Sequence, residues 1–540
     1  MIILFIHFLI DFGILMILLN SLSQWSVMAI PLIFSMSAVI LALFKGQVKT
    51  SWRISFMVTW LALTAALAAI ATYGILSINQ AEIASPKFLH INSLSLLMLM
   101  LISIIALVIV RFSKNYIHHE PGEKAYQCWF MLTLASVTLV ITTNHFVIFL
   151  FAWIMISIGL HQLLMFYPNR PRAALAAHKK FIISRIADIC MIVAISLIFI
   201  SHKSLWISDV LEYYQTDATL TQADHIAAVL FALAAILKSA QLPLHGWLMQ
   251  VMEAPTPVSA LLHAGIINMG GFLMILLSPL ILKSPAAEWL LMIVGGITAV
   301  VASLIMMTRI SIKVMLAWST CAQMGFMLLE CGLGLYELAL LHLIAHSFYK
   351  AYTFLSSGEA VNHFIRDNLI KIKHHKNRTY PSIAQWLIGG LLGLVIVASV
   401  FTISHTFNHQ LTSFIAIGSI LTMSITLLLS ENLNAGVKHL LNLLMTAIGI
   451  ASLYAIWHGV FGQLFISANI GLVATIWVLV LFITLFLSYI MLCYYPNSAF
   501  SKWLYLRLFA GFYLDEWSTK ITMMLWPAKL PAKTFTNKHY

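Results

Sequence analysis

Three side chains in one stretch, His342, His346 and Lys350 of LHLIAHSFYKAY, are spaced four and four. On an α-helix that spacing makes a single stripe, each residue about 6 Å above the last. Histidine titrates near physiological pH, and its ring accepts a proton on one nitrogen while donating from the other. The stripe is therefore suited to passing protons. A metal site also uses His at i and i+4, but HLIAH lacks the internal Glu of a zincin. No adjacent carboxylate or thiolate completes a ligand set, so the spacing favours relay over metal.

A second group lies upstream. Lys238, in ILKSAQLPLHGW, sits some twelve residues into an apolar run. A charge there costs at least ~2.5–3.5 kcal/mol in a bilayer, so it persists when paired, hydrated or functional. Pro243 removes a backbone donor, which predicts a helix break just after the lysine. Broken helices at membrane depth line protein or water-filled cavities. An amine held out of water is a candidate for proton exchange; snorkelling to the interface is the plainer alternative. His245 lies beyond the break and is ambiguous. Arg185 and Asp188, in SRIAD, are three apart and share a helix face, as a neutralising pair or part of a path. His263 alone reads as an ordinary core histidine. Glu253, Glu330, Glu337 and Glu359 fall at or near the ends of apolar runs and are expected at the interface.

The elements that hold these groups follow from composition. Of 540 residues, 61% are hydrophobic and 9% charged, with a mean hydropathy of +0.95. A soluble domain is about a quarter charged. This excludes a water-facing surface, a disordered chain and a soluble nucleotide-binding enzyme. The fold class expected is all-α, polytopic and membrane-embedded. The net charge of +12 reads as topology rather than nucleic-acid binding, since no basic stretch forms a domain. The five cysteines are scattered without CxxC, as buried thiols are.

At about 20 apolar residues per span, roughly sixteen transmembrane helices are expected. Their limits are 2–19, 25–44, 54–78, 91–110, 126–144, 145–167, 181–200, 226–247, 257–282, 288–308, 312–332, 336–359, 383–404, 412–430, 439–459 and 469–493. Residues 1–20 are the least secure, with Asp11 inside the run. Under this count, about 24 Lys and Arg fall on one side and about 3 on the other, with Lys179 and Lys180 among the loop charges. That alternation predicts both termini on the cytoplasmic side. The loop 360–381 is the large basic cytoplasmic one, and 201–225 the large far-side one. The tail from 496 to 540 mixes Trp, Tyr and Phe with basic residues, the makeup of an interfacial amphipathic helix that anchors or docks a partner.

The runs KSAQLPLHGWLMQVMEAPTPVSALLHAG, SIKVMLAWSTCAQMGFMLLECG, LHLIAHSFYKAYTFLSSGEAV and FIISRIADICMIVA resemble the antiporter-like, proton-conducting subunits of respiratory complex I, shared with Mrp antiporters and membrane-bound hydrogenases. The resemblance covers residues 90–360 well and the rest loosely. It implies two inverted repeats of about five helices with broken helices at their centres. It also implies a division into N-terminal helices (1–90), an antiporter-like core (91–380), C-terminal helices (381–495) and the tail (496–540). The lysine matching Lys238 is the central proton carrier in that family. Those matching His263, His342, His346, Lys313 and Lys350 belong to its polar axis, and the pair matching Arg185 and Asp188 lies by the entry.

The departures are informative. Ile154, in AWIMISIGLHQLL, stands where redox-coupled members carry a glutamate in GWEGVGL. HTWLPDAM has become HGWLMQVM, and the span 383–404 holds no ionisable residue where an exit lysine or glutamate is usual. With the segment from Trp153 through His161 to Phe166, Tyr167 and Pro168, the chain resembles membrane subunits of the DAB inorganic carbon accumulation system. That likeness implies a bacterial inner-membrane subunit without a cofactor of its own. Its partner would be a large soluble protein, similar to a β-type carbonic anhydrase, that binds zinc and hydrates CO2. The alternatives are a proton-pumping subunit of an NADH-quinone oxidoreductase or membrane hydrogenase, and a cation/proton antiporter subunit.

Overall fold

A computed structural model describes residues 2–44, 46–80, 86–216, 219–359, 365–366, 382–404, 411–430, 436–465 and 470–526. Most of the basic loop 360–381 and the end of the tail lie outside the described residues. In chain order the helices are α1 (Ile2–Leu43), α2 (Val48–Ile78), α3 (Ser93–Tyr116), α4 (Glu123–Thr142), α5 (Phe146–Leu164), α6 (Pro171–His202) and α7 (Ile207–Gln215). They continue as α8 (Gln222–Lys238), α9 (Gly246–Gln250), α10 (Thr256–Ala264), α11 (Met269–Leu276), α12 (Ser278–Ile281), α13 (Pro285–Met306), α14 (Ile312–Gly332) and α15 (Tyr336–Leu355). The C-terminal set is α16 (Ile383–Ile403), α17 (Leu411–Ser430), α18 (Val437–Phe461), α19 (Leu472–Tyr494), α20 (Ala499–Phe509) and α21 (Leu514–Leu525).

The protein is a multi-pass, all-helical membrane protein. Among the described residues, twelve helices are long and apolar enough to cross a bilayer. The expectation of about sixteen is corrected at its beginning. The spans 2–19 and 25–44 are one continuous helix, α1, about 63 Å long at 1.5 Å per residue. The polar run Asn20–Gln24, read as a turn, continues the helix, because Ser and Gln need not end one when packing holds it. Three other expected spans, now α8, α15 and α17, are helical but not among the twelve.

A second correction concerns α6. It begins at Pro171, a favoured first helical position, ten residues before the expected boundary. Lys179 and Lys180, counted as loop charges, are buried inside it.

Burial locates the centre of the bundle. The stretch Thr256–Leu276, spanning α10 and α11, is 100% buried, whereas α19 is 11% buried and offers most of its surface to lipid. Close backbone approach is purchased with small residues where helices cross. A Cβ on Gly295 of α13 would meet the Gly325 carbonyl of α14 at 2.6 Å, and one on Gly325 would meet the Gly295 carbonyl at 2.7 Å. On the far side, α7 organises the loop expected at 201–225. The Tyr214 hydroxyl donates to Asp224 Oδ1 at 2.8 Å, and His202 Nε2 lies 2.9 Å from the same oxygen.

The described part of the tail, to Trp526, packs against the bundle. Arg309 Nη2 donates to the Leu508 carbonyl at 2.8 Å, and Trp526 stacks on His178 with ring centroids 4.0 Å apart. Asp515 of α21 pairs with Lys179 of α6 at 2.7 Å.

Candidate functional site

Two clusters of buried polar groups lie on either side of α14's inner face. The first surrounds Lys238. A capping box starts α8, with Thr221 and Asp224 bonding each other's backbone amides. The helix stops at Lys238. Ala240 takes a left-handed backbone with φ 52°, a conformation side-chain-bearing residues rarely adopt, and the chain passes Pro243 before resuming as α9. The break leaves the lysine at a helix end inside the protein, 6% exposed. Its ammonium donates to the Trp153 carbonyl at 3.3 Å and sits 4.3 Å from the centre of the Trp153 ring. An indole face attracts a cation through its quadrupole. Among the described residues no carboxylate lies within 4 Å of Lys238. Ile154, the residue after Trp153, is half-buried.

One helical turn along α5, Lys180 of α6 donates to the Ser157 carbonyl at 2.7 Å and its hydroxyl at 2.9 Å. Trp153 and Ser157 are four residues apart, so two buried ammonium groups hang from successive turns of one helix. Arg185 and Asp188 form an ion pair at 2.7 Å without hydrogen-bond alignment, and both lie in electrostatic range of Lys238. Desolvating an ion costs several kcal/mol even after relaxation. This neighbourhood meets that cost with carbonyls, a ring and one shared carboxylate.

The second cluster lies between α10, α14 and α15. Lys350 is fully buried and donates to the Ser319 hydroxyl at 2.8 Å and the Leu316 carbonyl at 3.2 Å. His263 bonds the Thr320 hydroxyl through Nδ1 at 3.0 Å and stacks on Phe354 at 4.2 Å. His346 is 4% exposed, and neither ring nitrogen has a protein hydrogen-bond partner; Lys350, His342 and His263 are its electrostatic neighbours. His342 contacts Glu330 through Nδ1 at 3.0 Å and Gln323 through Nε2 at 2.7 Å. Buried polar atoms without protein partners are the places where ordered water settles.

The clusters meet at α14. Cys321, next to Thr320, donates from Sγ to the Ala240 carbonyl at 3.2 Å, two residues past Lys238.

The structure therefore gathers Lys238 with Arg185 and Asp188, and His263 with His342, His346 and Lys350. Lys313 stands apart: it donates to the Thr256 hydroxyl at 3.1 Å at the start of α10, which in turn lies 3.2 Å from the Tyr116 hydroxyl. Glu330, expected at the interface, is instead 2% exposed and paired with His342; its place at the end of α14 is buried beneath α15. Glu337 is likewise buried and contacts His458 at 3.3 Å. Glu253 is partly exposed and lies 3.7 Å from Arg170. Sequence reading passed over Lys180, Ser157, Ser319, Thr320 and Gln323. The Pro171 helix start was the one signal that could have found Lys180. Single hydroxyls and an amide along apolar helices carry none. Among the described residues, no three of His, Cys, Asp and Glu gather as a metal-ligating group.

Comparison with known proteins places this arrangement. Residues 143–394 match the family described as NADH:quinone oxidoreductase/Mrp antiporter, transmembrane, and residues 82–127 match the complex I chain 5 N-terminus. The chain is 41% identical to the probable inorganic carbon transporter subunit DabB of Hydrogenovibrio crunogenus, over 83% of this chain and 85% of that one. It is 36% identical to DabB2 of Halothiobacillus neapolitanus, over 82% and 81%. The Mrp complex from Dietzia sp. DQ12-45-1b shares the fold, with a TM-score of 0.54 at 18% identity, covering 94% of this chain and 57% of that one. On these matches and the geometry they accompany, the chain belongs to the DabB family of inorganic carbon transporter subunits, antiporter-like membrane proteins of the complex I and Mrp type.

Proposed function

We propose that the chain is the membrane subunit of an energy-coupled inorganic carbon pump, in which protons run down their gradient through Lys238 and the His263, His342, His346 and Lys350 cluster. The flow biases CO2 hydration in a soluble, zinc-binding, carbonic-anhydrase-like partner, so that bicarbonate accumulates in the cytoplasm of a bacterium whose inner membrane holds the complex. Arg185, Asp188 and Lys313 belong to the approaches of the path. The reading includes two inverted five-helix repeats, with interruptions at Lys238–Gly246 and between α10 and α11.

One observation carries it: two lysines, Lys238 and Lys350, are buried in the bundle, each hung on a backbone carbonyl rather than matched with its own carboxylate. Such cations are expensive in a membrane and mark ion pathways. The energy suffices, since one charge moving through 100 mV releases about 2.3 kcal/mol, enough to displace an equilibrium more than tenfold. Lys238→Ala should abolish rescue of CO2-dependent growth while the complex still assembles. Normal rescue by a stably expressed variant would sink the relay. Co-purification followed by zinc analysis tests the partner; a run of further antiporter-like subunits in its place would favour a redox-driven pump.

A further inference from the structure

The bundle end that carries the basic loops is closed by the C-terminal tail, and the closure is built around charge. Lys179 of α6 has a side chain with no exposure, and its ammonium contacts Asp515 Oδ1 at 2.7 Å and the Thr519 hydroxyl at 2.6 Å. Asp515 Oδ2 accepts from Gln250 Nε2 of α9 at 2.9 Å. The Asp515 side chain is 34% exposed, so the carboxylate reaches water while its lysine partner does not. Gly246 opens α9, the half-helix that follows Lys238, and a Cβ there would fall 1.4 Å from Asp515 Oδ1. Only glycine lets the carboxylate come this close. Immediately before it, His245 is 1% exposed, and its Nδ1 has no protein partner. Lys180, the residue after Lys179, hangs one turn from Lys238 on α5.

We propose that Asp515 discharges protons from the Lys238 cluster to water, so that the C-terminal helix is part of the conduction path and not only an anchor. The carboxylate that the core lacks at Ile154 is thus supplied at the mouth by α21. The cycle balances. Lys179 passes its proton to Asp515, leaving a neutral amine beside a neutral carboxylic acid. The amine takes a proton arriving from the His245 side and becomes an ammonium again. Asp515 then releases its proton to water, which restores the ion pair with one proton moved out to the basic-loop side. The inference rests on the conducting role proposed above.

The test uses the intact complex in liposomes loaded with a pH dye, with a gradient imposed toward the basic-loop side. Asp515→Asn should cut flux at least tenfold and Asp515→Glu should retain it. A double variant, Lys179→Met with Asp515→Leu, separates conduction from anchoring, since an apolar pair often holds a buried contact as well as an ion pair does. It should assemble and conduct as poorly as Asp515→Asn. Wild-type flux in either assembled variant that lacks the carboxylate overturns the proposal, and so does failure of both to assemble, which makes the pair structural. A wild-type complex that conducts nothing removes the conducting role itself, and this inference with it.

Discussion

The two buried lysines solve one problem differently. Lys238 is set among charges: Arg185, Asp188 and Lys180 are its electrostatic neighbours, and an indole face lies under it. Lys350 is set among neutral donors and acceptors, a serine hydroxyl, a carbonyl and the unpartnered ring of His346. The first arrangement responds strongly to any change in nearby charge, because fields in a low-dielectric interior are weakly screened. The second depends on hydration and on which imidazole nitrogen holds the proton. The contrast suits a path with a charge-sensitive gate at one cluster and a passive conduit at the other.

Experiments can break that contrast. Lys238→Ala should have the largest effect, a loss of ion flux on the order of 100-fold, within the range that positioned proton-transfer groups supply. Flux in liposomes is the measurement. Lys350→Met should lower flux less, on the order of tenfold, while leaving the thermal midpoint unchanged or raised, because a buried cation is replaced by an apolar chain of similar length. Equal flux losses in the two variants would dissolve the distinction between gate and conduit. Glu330→Gln should destabilise by about 1–3 kcal/mol, since His342 loses a charged partner in a buried site; denaturation in detergent reads this. An unchanged midpoint would mean the contact is spare.

The smallest effect expected is a pH dependence outside the membrane. His90, in the loop before α3, is held by burial at a pKa of about 4 against the usual 6.5. Below about pH 6.5 the unfolded chain therefore binds a proton that the folded chain refuses. Stability falls as pH drops from there to about 4 and levels off beneath. His90→Asn should flatten the pH dependence of the thermal midpoint across that window, and an identical slope would assign it to other groups.

Much of this was readable beforehand. Hydropathy marked out the helical stretches from residue 54 onward, and Pro243 announced the end of α8. Four-residue spacing put His342, His346 and Lys350 on one helix. What stayed hidden depended on three-dimensional neighbours. The burial of Glu330 under α15 and the approach of Asp515 to Lys179, 336 residues apart, leave no local trace. The fusion of two apolar runs into α1 was equally silent, because a polar pentapeptide can close a turn or continue a helix. Lys180 was misfiled because the boundary of α6 was placed too late.

The grip of the tail on α9 has a mechanical consequence. Asp515 ties α21 to Gln250 of α9 and to Lys179 of α6, and Trp526 seals the same corner against His178. A displacement of α21 is therefore passed by direct polar contact to the half-helix that follows Lys238.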